Sequence, residues 1–314
     1  MTESKKTVVV TYDSAREVSK KFDFWRGIYN KDKNYILGRT PKNWGEIFIF
    51  YSIFYIILAA LFAICMQVLL WTLDDKVPKW TLGESRIGDS PGLGFRPMPM
   101  NLSQGSLLWL NNKNTTTIKS YVDIINSFLL PYENATLQPH INSVNCDFDN
   151  LPADEKVCRI NLSHFGKCTA SNSYGYDSLK PCIFLKLNKI FNWIPEPFNK
   201  DSVLPENMPE DLKLNINSLP EKERNQVFVS CEGQNPNDKE AIGKITISPR
   251  GFPHYFYPYK NNDGYLSPLI SVQFESVKKN TNINIECIAW AKNIIYHGGE
   301  RDRQGSIHFE LLID

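Results

Sequence analysis

One uncharged stretch, from Ile47 to Leu73, limits what this chain can fold into more than any other feature. Its 27 residues, IFIFYSIFYIILAALFAICMQVLLWTL, contain no Asp, Glu, Lys or Arg. A helix needs about 20 apolar residues to cross a bilayer, whereas a buried helix of a globular domain is rarely this long and apolar on every side. The stretch also begins too late and runs too long for a cleaved signal peptide. It therefore predicts a permanent transmembrane helix.

The charges beside this helix indicate its orientation. Residues 1–46 carry ten Lys and Arg against six Asp and Glu, whereas the residues after the helix carry 25 against 28. The basic residues nearest the helix are Arg26, Lys31, Lys33, Arg39 and Lys42 before it, and Lys76, Lys79 and Arg86 after it. Because basic residues concentrate on the cytosolic side of membrane helices, the N-terminus is predicted to be cytosolic.

Cysteines and glycosylation sequons favour the same orientation. Six of the seven cysteines follow the helix, an even number suited to an oxidising compartment. All four N-x-S/T sequons also follow it, at Asn101, Asn114, Asn134 and Asn161. The residues thus predict a type II membrane glycoprotein with a cytosolic tail (1–46), a signal-anchor helix (47–73) and an extracellular disulfide-bonded domain (74–314).

Hydrophobic periodicity predicts the elements of the extracellular domain. Residues 74–101 are rich in Pro and Gly, which indicates an irregular stalk. Spacings of three and four from Thr115 to Leu130 predict a helix that Pro131 ends, and residues 140–200 read as loop-rich. Alternation then predicts five half-buried antiparallel strands, VFVSC, KITIS, LISVQFE, INIECIAWA and SIHFELLI. Together they predict a mainly-β fold, an immunoglobulin-like antiparallel sandwich with at least one packed helix.

The six cysteines after the helix allow fifteen pairings. Short sequential loops would join Cys146 with Cys158, Cys168 with Cys182, and Cys231 with Cys287. No C-x-x-C pair occurs among them, which argues against a zinc ribbon or a thioredoxin-like site.

One motif raises the alternative of a luminal enzyme. Asp147-Phe148-Asp149 matches the D-x-D motif through which Golgi glycosyltransferases hold a divalent ion. In those enzymes an apolar strand precedes the motif, whereas the polar HINSVNC precedes it here. No H-E-x-x-H or G-x-S-x-G pattern is present. The sequence does not exclude a Ser-His-Asp triad, because its members need to meet only in the folded chain. We predict no catalytic residue, metal, cofactor or nucleic-acid partner.

The membrane helix has two unlike faces. At 100° per residue, Ser52, Ala59 and Ala63 share one direction, with Tyr55 beside them and Tyr51 at the border. The opposite face carries Phe50, Phe54, Ile57, Leu61, Ile64 and Val68. Small residues let helices approach closely, and hydroxyls hydrogen-bond between helices. The first face therefore predicts a helix partner, which a second copy of the chain would also satisfy, and the second face predicts contact with the lipid bilayer.

The depth of Tyr55 supports a helix partner. Trp44 and Trp71 mark the two membrane interfaces, and Tyr55 lies about 16 Å along the helix from Trp44. This is too deep for the interfacial belt in which tyrosine is common. A neighbouring helix explains a hydroxyl that lipid cannot satisfy.

Several motifs, in one order along the chain, resemble those of the β subunits of the sodium/potassium-transporting P-type ATPase. They are the aromatic residues Phe22, Phe24 and Trp25, LGRT before Trp44, FYSIFY, SYGYDSLKPCIFLKLNKI, YFYPY, YLSPLISVQFE and INIEC. The likeness covers nearly the whole chain. Departures occur around Cys158 and Cys168, where Glu155, Phe165 and Thr169-Ala170 stand, and after Pro258, where Tyr259-Lys260-Asn261 stands.

The resemblance implies a non-catalytic subunit with the three sequential disulfides named above. It implies that the chain stabilises a catalytic α subunit, escorts it to the plasma membrane and tunes its potassium affinity. The membrane contact with α would involve Tyr51, Phe54 and Tyr55. The aromatic segment with Tyr255, Tyr257 and Tyr259 is a candidate contact outside the membrane, and a small single-span regulatory subunit is a further partner.

Two alternatives lie within the same family. The chain would act in cell adhesion or at junctions without the pump, or would serve a proton/potassium pump instead of a sodium/potassium pump. The residues do not decide between them.

Overall fold

The computed structural model describes residues 29–30, 35–37, 39–99, 105–111, 115–296 and 304–314. Asn101, Asn114 and the aromatic residues Phe22, Phe24 and Trp25 lie outside the described residues. The chain forms two compact units that divide between Leu73 and Asp74. The first unit contains the antiparallel pair β1 (Tyr29–Asn30) and β2 (Tyr35–Ile36) and the helix α1 (Pro41–Trp71).

Helix α1 begins six residues before the uncharged stretch because its N-terminus is capped there. Thr40 Oγ1 accepts a hydrogen bond from the backbone N–H of Asn43 at 3.4 Å, and Pro41 occupies the first turn, where a missing N–H costs nothing. At the other end, Thr72 Oγ1 donates to the carbonyl of Leu69 at 2.7 Å. The 31 residues of α1 give the helix a length of about 46 Å. None of them is buried within the chain, and by length and composition the helix can cross a membrane.

The second unit, Asp74–Asp314, is a sandwich of two β-sheets with three helices. Its strands are β3 (Leu93–Arg96), β4 (Leu107–Leu110), β5 (Ser143–Val144), β6 (Val157–Cys158), β7 (Cys182–Leu187), β8 (Gln226–Gly233), β9 (Ile245–Ser248), β10 (Gly251–Pro253), β11 (Ile270–Phe274), β12 (Asn282–Trp290) and β13 (Ser306–Ile313). Its helices are α2 (Thr115–Leu137), α3 (Glu210–Ser218) and α4 (Pro236–Ile242).

The two sheets have the orders β10-β8-β12-β13-β4 and β3-β7-β11-β9. Pairing within them is antiparallel except between β13 and β4, which run parallel. Strands β5 and β6 form a separate parallel pair. The predicted mainly-β sandwich is confirmed.

The alternating patterns place the core between the sheets. On β12, Ile283, Ile285, Cys287 and Ala289 are buried, and the residues between them are more exposed. On β13, the ring of Phe309 contacts Phe95 of the other sheet, with centroids 4.9 Å apart, and also Phe274 at 6.2 Å. Aromatic contacts of this kind add to the apolar burial that holds two sheets together.

Four strands contradict the sequence-based assignment: β3, β7 and the two-residue strands β5 and β6, which lie in the region predicted to be loop-rich. The predicted irregular stalk contains β3, in which Leu93 and Phe95 are buried. The region predicted to be loop-rich contains β7, where five of six residues are buried. A strand buried on both faces has no alternation to detect. Strands β8 and β11, which were predicted to be half-buried, are likewise covered on both faces. The four-residue edge strand β3 contains Gly94, which weakens a strand pattern.

The prediction that Pro131 ends the second helix is wrong. Pro131 lies inside α2, which continues to Leu137. Proline removes one backbone hydrogen bond from a helix interior. Tyr132 compensates through tertiary contacts, because its ring is buried and its hydroxyl donates to the carbonyl of Ser267 at 3.1 Å.

Three disulfides join cysteines that are consecutive in the chain: Cys146–Cys158, Cys168–Cys182 and Cys231–Cys287. The last links directly opposed residues of the neighbouring strands β8 and β12. In the chain-entropy model, closing loops of 12, 14 and 56 residues stabilises the fold by about 3 to 4 kcal/mol each.

Candidate functional site

Four aromatic rings form a continuous platform on α1. Tyr51 and Tyr55 stack with centroids 6.2 Å apart, and Phe50 and Phe54 stack at 6.4 Å. Edge-to-face contacts of 5.4 Å between Phe50 and Tyr51, and of 5.5 Å between Phe54 and Tyr55, join the two stacks. Side chains four residues apart are neighbours on a helix, so the stacking of Tyr51 on Tyr55 and of Phe50 on Phe54 follows directly from the sequence.

This platform crosses the border between the two predicted faces. The helical angles assign Phe54 to lipid and Tyr55 to a partner, but the two rings touch because each is wide enough to reach its neighbour. A helix that packs on Tyr55 therefore also meets the edge of Phe54. The structure records no hydrogen bond from the hydroxyl of Tyr51 or Tyr55 to any described residue.

The small residues predicted to face a partner stand beside the platform. Ser52 is half-buried, whereas Ala59 and Ala63 are exposed. No described residue of the chain covers this strip of α1. The strip has room for the close approach of another helix, and its assignment as a contact stays a prediction.

A second aromatic group lies in the sandwich unit. We call it the Tyr257–Tyr265 cluster, and its members are Lys189, Phe191, Trp193, Tyr257, Tyr259 and Tyr265. The rings of Tyr259 and Tyr265 lie 5.0 Å apart, and Lys189 Nζ lies 4.8 Å and 5.1 Å from their centroids. Burial lowers the pKa of Lys189, and the nearby charge of Lys186 adds to this effect. The cluster thus presents a cation held over two π faces.

Two polar atoms of this cluster are enclosed without a partner. The rings of Trp193 and Tyr257 meet edge to face, with centroids 5.5 Å apart. Trp193 Nε1 and the Tyr257 hydroxyl are both buried, and neither has a hydrogen-bond partner among the described residues. Burial raises the pKa of Tyr257 well above its usual value. Unpaired buried polar groups are rare in native proteins, and each requires an explanation.

The cluster is tied to the residues that follow α1 in the chain. The Tyr259 hydroxyl donates to Asn261 Oδ1 at 2.8 Å, and Asn261 Nδ2 donates to the carbonyl of Lys76 at 3.3 Å. A backbone bond of 2.9 Å from Asn192 N–H to the carbonyl of Tyr259 holds the two aromatic segments side by side. These contacts fix where Tyr259 stands relative to the first residues of the sandwich unit.

The structure separates Tyr255 from the other two tyrosines of its motif. Its ring packs on Phe148, with centroids 5.5 Å apart, and on Phe256 at 4.8 Å. Its pKa is raised by burial and by the charge of Asp147. Tyr257 and Tyr259 instead meet residues from the 189–193 segment. Sequence reasoning missed Lys189 and Trp193, which no local pattern connects to residues more than 60 positions away.

The D-x-D carboxylates serve local structure. Asp147 accepts hydrogen bonds from the backbone N–H groups of Asp149 and Asn150, at 2.8 Å and 2.7 Å, and from Asn150 Nδ2 at 2.8 Å. These bonds lower the pKa of Asp147. Asp149 forms an ion pair with Lys222. Within the described residues, no three His, Cys, Asp or Glu side chains form a group that could hold a metal ion.

Two of the predicted glycosylation sites are described. Asn134 is exposed in the last turns of α2, and Asn161 is exposed at the start of a short 3₁₀ helix. Asn161 Oδ1 accepts hydrogen bonds from the Ser163 N–H and hydroxyl, at 3.0 Å and 2.7 Å. Both side chains are accessible to modification.

Comparisons with known proteins assign the whole chain to one family. A family model described as the sodium/potassium ATPase beta chain matches residues 14–309. The chain is 45% identical over 311 residues to the sodium/potassium-transporting ATPase subunit beta-2 of Drosophila melanogaster, covering 96% of this chain and 95% of that one. It is 46% identical over 297 residues to the subunit beta-1 of the same organism, covering 94% of each. It is 32% identical over 300 residues to a probable subunit beta-3 of Caenorhabditis briggsae, covering 93% and 86%. The chain, with its one apolar helix and three disulfides, therefore belongs to the sodium/potassium ATPase beta chain family.

Proposed function

We propose that this chain is a non-catalytic β subunit that pairs with the catalytic α subunit of a sodium/potassium-transporting P-type ATPase. The match of the family model to residues 14–309 carries this proposal. The relatives named above are themselves named as subunits of that pump. The engagement of Asp147 by its own turn and of Asp149 by Lys222 supports an accessory role over a metal-dependent enzyme.

The membrane contact is proposed to use the tyrosine side of α1. In hydrocarbon, a phenolic hydroxyl without a hydrogen bond is costly. The hydroxyls of Tyr51 and Tyr55 have no hydrogen-bond partner among the described residues, so a helix of α that offers an acceptor would gain both hydrogen bonds and ring contacts. Ser52, Ala59 and Ala63 would allow that helix to approach closely, and Phe54 would lie at the edge of the contact.

A second contact is proposed at the Tyr257–Tyr265 cluster, on an extracellular loop of α. The half-buried rings of Tyr259 and Tyr265 beside Lys189 support it, because they keep part of their surface accessible and tyrosine is enriched at protein interfaces. The predicted role of Tyr255 in this contact stays a prediction, because its ring packs elsewhere.

Escort and potassium tuning would follow from these two contacts. A partner that binds only folded α stabilises it by mass action, and pairing would satisfy the hydroxyls of Tyr51 and Tyr55 in the membrane. A β subunit whose extracellular contact differs between the conformations of α would shift their populations, and with them the affinity for potassium. We further propose a cytosolic N-terminus, a plasma-membrane location and a small single-span regulatory subunit as an additional partner.

Co-expression tests this function. The chain expressed alone is expected to stay in the endoplasmic reticulum, and a sodium/potassium-ATPase α subunit is expected to carry it to the surface and to co-purify with it. Mass spectrometry of the co-purified protein identifies the partner. Efficient export of the chain alone, with no α subunit in the pull-down, would contradict the proposal and favour an adhesion protein that works without the pump.

A further inference from the structure

A cleft of about 570 Å³ opens on the sandwich unit between the end of α2, the Cys146–Cys158 loop and the segment between β10 and β11. Its volume lies within the range of about 300–1,000 Å³ that is usual for sites of small ligands. The cleft wall includes the rings of Phe148, Tyr255 and Phe256 and the polar side chains of His140, Asn145 and Arg159. Rings beside hydrogen-bonding groups suit a sugar, which has apolar ring faces and hydroxyl edges.

The same wall contains a glycosylation acceptor. Asn161, of the sequon Asn161-Leu162-Ser163, lines the cleft. Its Nδ2 lies 3.3 Å from His164 Nε2. An amide nitrogen carries two hydrogens, so one can be replaced by a sugar while the other still donates to an unprotonated His164 Nε2. The contacts of Asn161 are therefore compatible with attachment of a glycan to Nδ2, at the wall of the cleft.

We propose that the glycan on Asn161 occupies this cleft, with its first N-acetylglucosamine units against the cleft wall. Attachment forms a bond between sugar C1 and Asn161 Nδ2 and breaks the bond between C1 and the pyrophosphate of a lipid-linked oligosaccharide donor. One amide proton is released. The covalent link makes binding in the cleft intramolecular, so weak contacts suffice to hold the sugar there. The proposal rests on the proposed orientation, in which residues 74–314 leave the cytosol.

Asn134 provides an internal comparison. It lies on α2, where the neighbouring Ala135 and Thr136 line the cleft, but Asn134 itself is exposed and is not part of the wall. A glycan on Asn134 therefore extends into solvent. Two sequons on one domain, one inside the cleft and one outside it, separate an effect of the cleft from an effect of glycosylation in general.

Native deglycosylation of the full-length chain tests the proposal. An amidase that hydrolyses the bond between Cγ and Nδ2 of the glycosylated asparagine, leaving Asp, is added to the folded protein in detergent, and release from each site is followed by mass spectrometry. We expect release from Asn161 to be at least about tenfold slower than from Asn134, because the sugar must first leave the cleft. After denaturation the two rates are expected to be equal.

Three outcomes would overturn the proposal. Equal native rates at the two sites would show that the Asn161 glycan is free in solvent. A glycan on Asn134 with none on Asn161 would remove the proposed occupant and leave the orientation intact. Absence of glycan at all four sequons, Asn101, Asn114, Asn134 and Asn161, would contradict the orientation as well. Co-purification of α is a separate measurement, so each failure can be distinguished from a failure of the proposed function.

A variant that fills the cleft provides a second test. Asn145 is an exposed residue of the wall, and Asn145→Trp is expected to displace the sugar and raise the release rate at Asn161 to that at Asn134. Ile141→Trp is the matched control, because Ile141 is 86% exposed and lies outside the wall. Intact disulfides in a non-reducing peptide map verify folding of both variants. Unchanged protection in Asn145→Trp would contradict occupation of the cleft.

Discussion

Trp193 and Tyr257 meet edge to face with ring centroids 5.5 Å apart. Trp193 Nε1 and the Tyr257 hydroxyl are both buried, and neither has a hydrogen-bond partner among the described residues. A buried polar atom without a partner costs about 1–3 kcal/mol. Because both atoms are enclosed within the chain, this cost lowers the stability of the chain whether or not it is paired with α.

Removal of the Tyr257 hydroxyl should stabilise the free chain without a loss of α binding. Tyr257→Phe eliminates an unpaired buried group, so the chain alone should keep or gain up to about 1–2 kcal/mol of unfolding free energy. The amount of co-purified α should stay unchanged, because the hydroxyl is enclosed within the chain. Thermal unfolding in detergent and pull-down measure the two effects.

Tyr132→Phe is the matched control for Tyr257→Phe. The Tyr132 hydroxyl is also buried but donates to the Ser267 carbonyl at 3.1 Å. Its loss leaves that carbonyl with one bond fewer and should destabilise the chain by about 1 kcal/mol, without a specific effect on α. A greater loss of stability in Tyr257→Phe than in Tyr132→Phe would argue against an unpaired hydroxyl at position 257.

Leucines on the tyrosine side of α1 should abolish binding of α in the membrane. The variant Tyr51→Leu, Ser52→Leu, Tyr55→Leu, Ala59→Leu removes hydroxyls and fills the space that a neighbouring helix would need. The control Ile53→Leu, Ile57→Leu, Ile64→Leu, Val68→Leu adds equally many leucines on the other sides of the helix. Pull-down of α from detergent extracts compares them, and equal recovery would contradict the helix-face assignment.

The contribution of Asp147 to the stability of the folded chain should decrease at acidic pH. Hydrogen bonds from its own turn favour the charged carboxylate, so its pKa in the folded chain lies below the ordinary value of 3.8. This contribution is present above pH 4 and is lost as the pH falls through the lowered pKa. Asp147→Ala should therefore lower Tm at pH 7, and its Tm should approach that of the unmodified chain as the pH falls below 3.8.

Asp154→Ala is the control for this acid dependence. Asp154 lies in the same Cys146–Cys158 loop, and its side chain is 96% exposed. Its Oδ1 lies 3.6 Å from Lys260 Nζ. Surface ion pairs of this kind contribute little, so its Tm should follow that of the unmodified chain at both pH values. A Tm difference for Asp147→Ala that grows as the pH falls would show that the sign is wrong.

The three disulfides should differ in their contribution to stability. Replacing Cys231 and Cys287 with Ser opens a loop of 56 residues, whereas replacing Cys146 and Cys158 opens one of 12. In the chain-entropy model the losses are about 4 and about 3 kcal/mol. The first pair also leaves a hydroxyl in the core, since Cys287 is fully buried. A lower Tm for the Cys146 and Cys158 double variant would contradict this order.

Local pattern predicted five strands, but not all of them alternate in burial. Strand β12 does, because its inward residues are buried and its outward residues are less so, whereas β8 and β11 are covered on both faces. Strand β7 is also covered on both faces and was not predicted. The continuation of α2 past Pro131 depends on Tyr132, whose partner Ser267 lies 135 residues further along the chain. No local rule contains that contact.

The sequence by itself determined the single apolar span, the spacing that stacks Tyr51 on Tyr55, and the location of cysteines and sequons after the helix. These features depend on composition and on helical periodicity, which act over a few residues. Only the tertiary structure decided that Trp193 meets Tyr257, and that Asn161 lines a cleft while Asn134 does not. Such proximity results from packing between segments far apart in the chain, and the free energy of that packing is not encoded in any one segment.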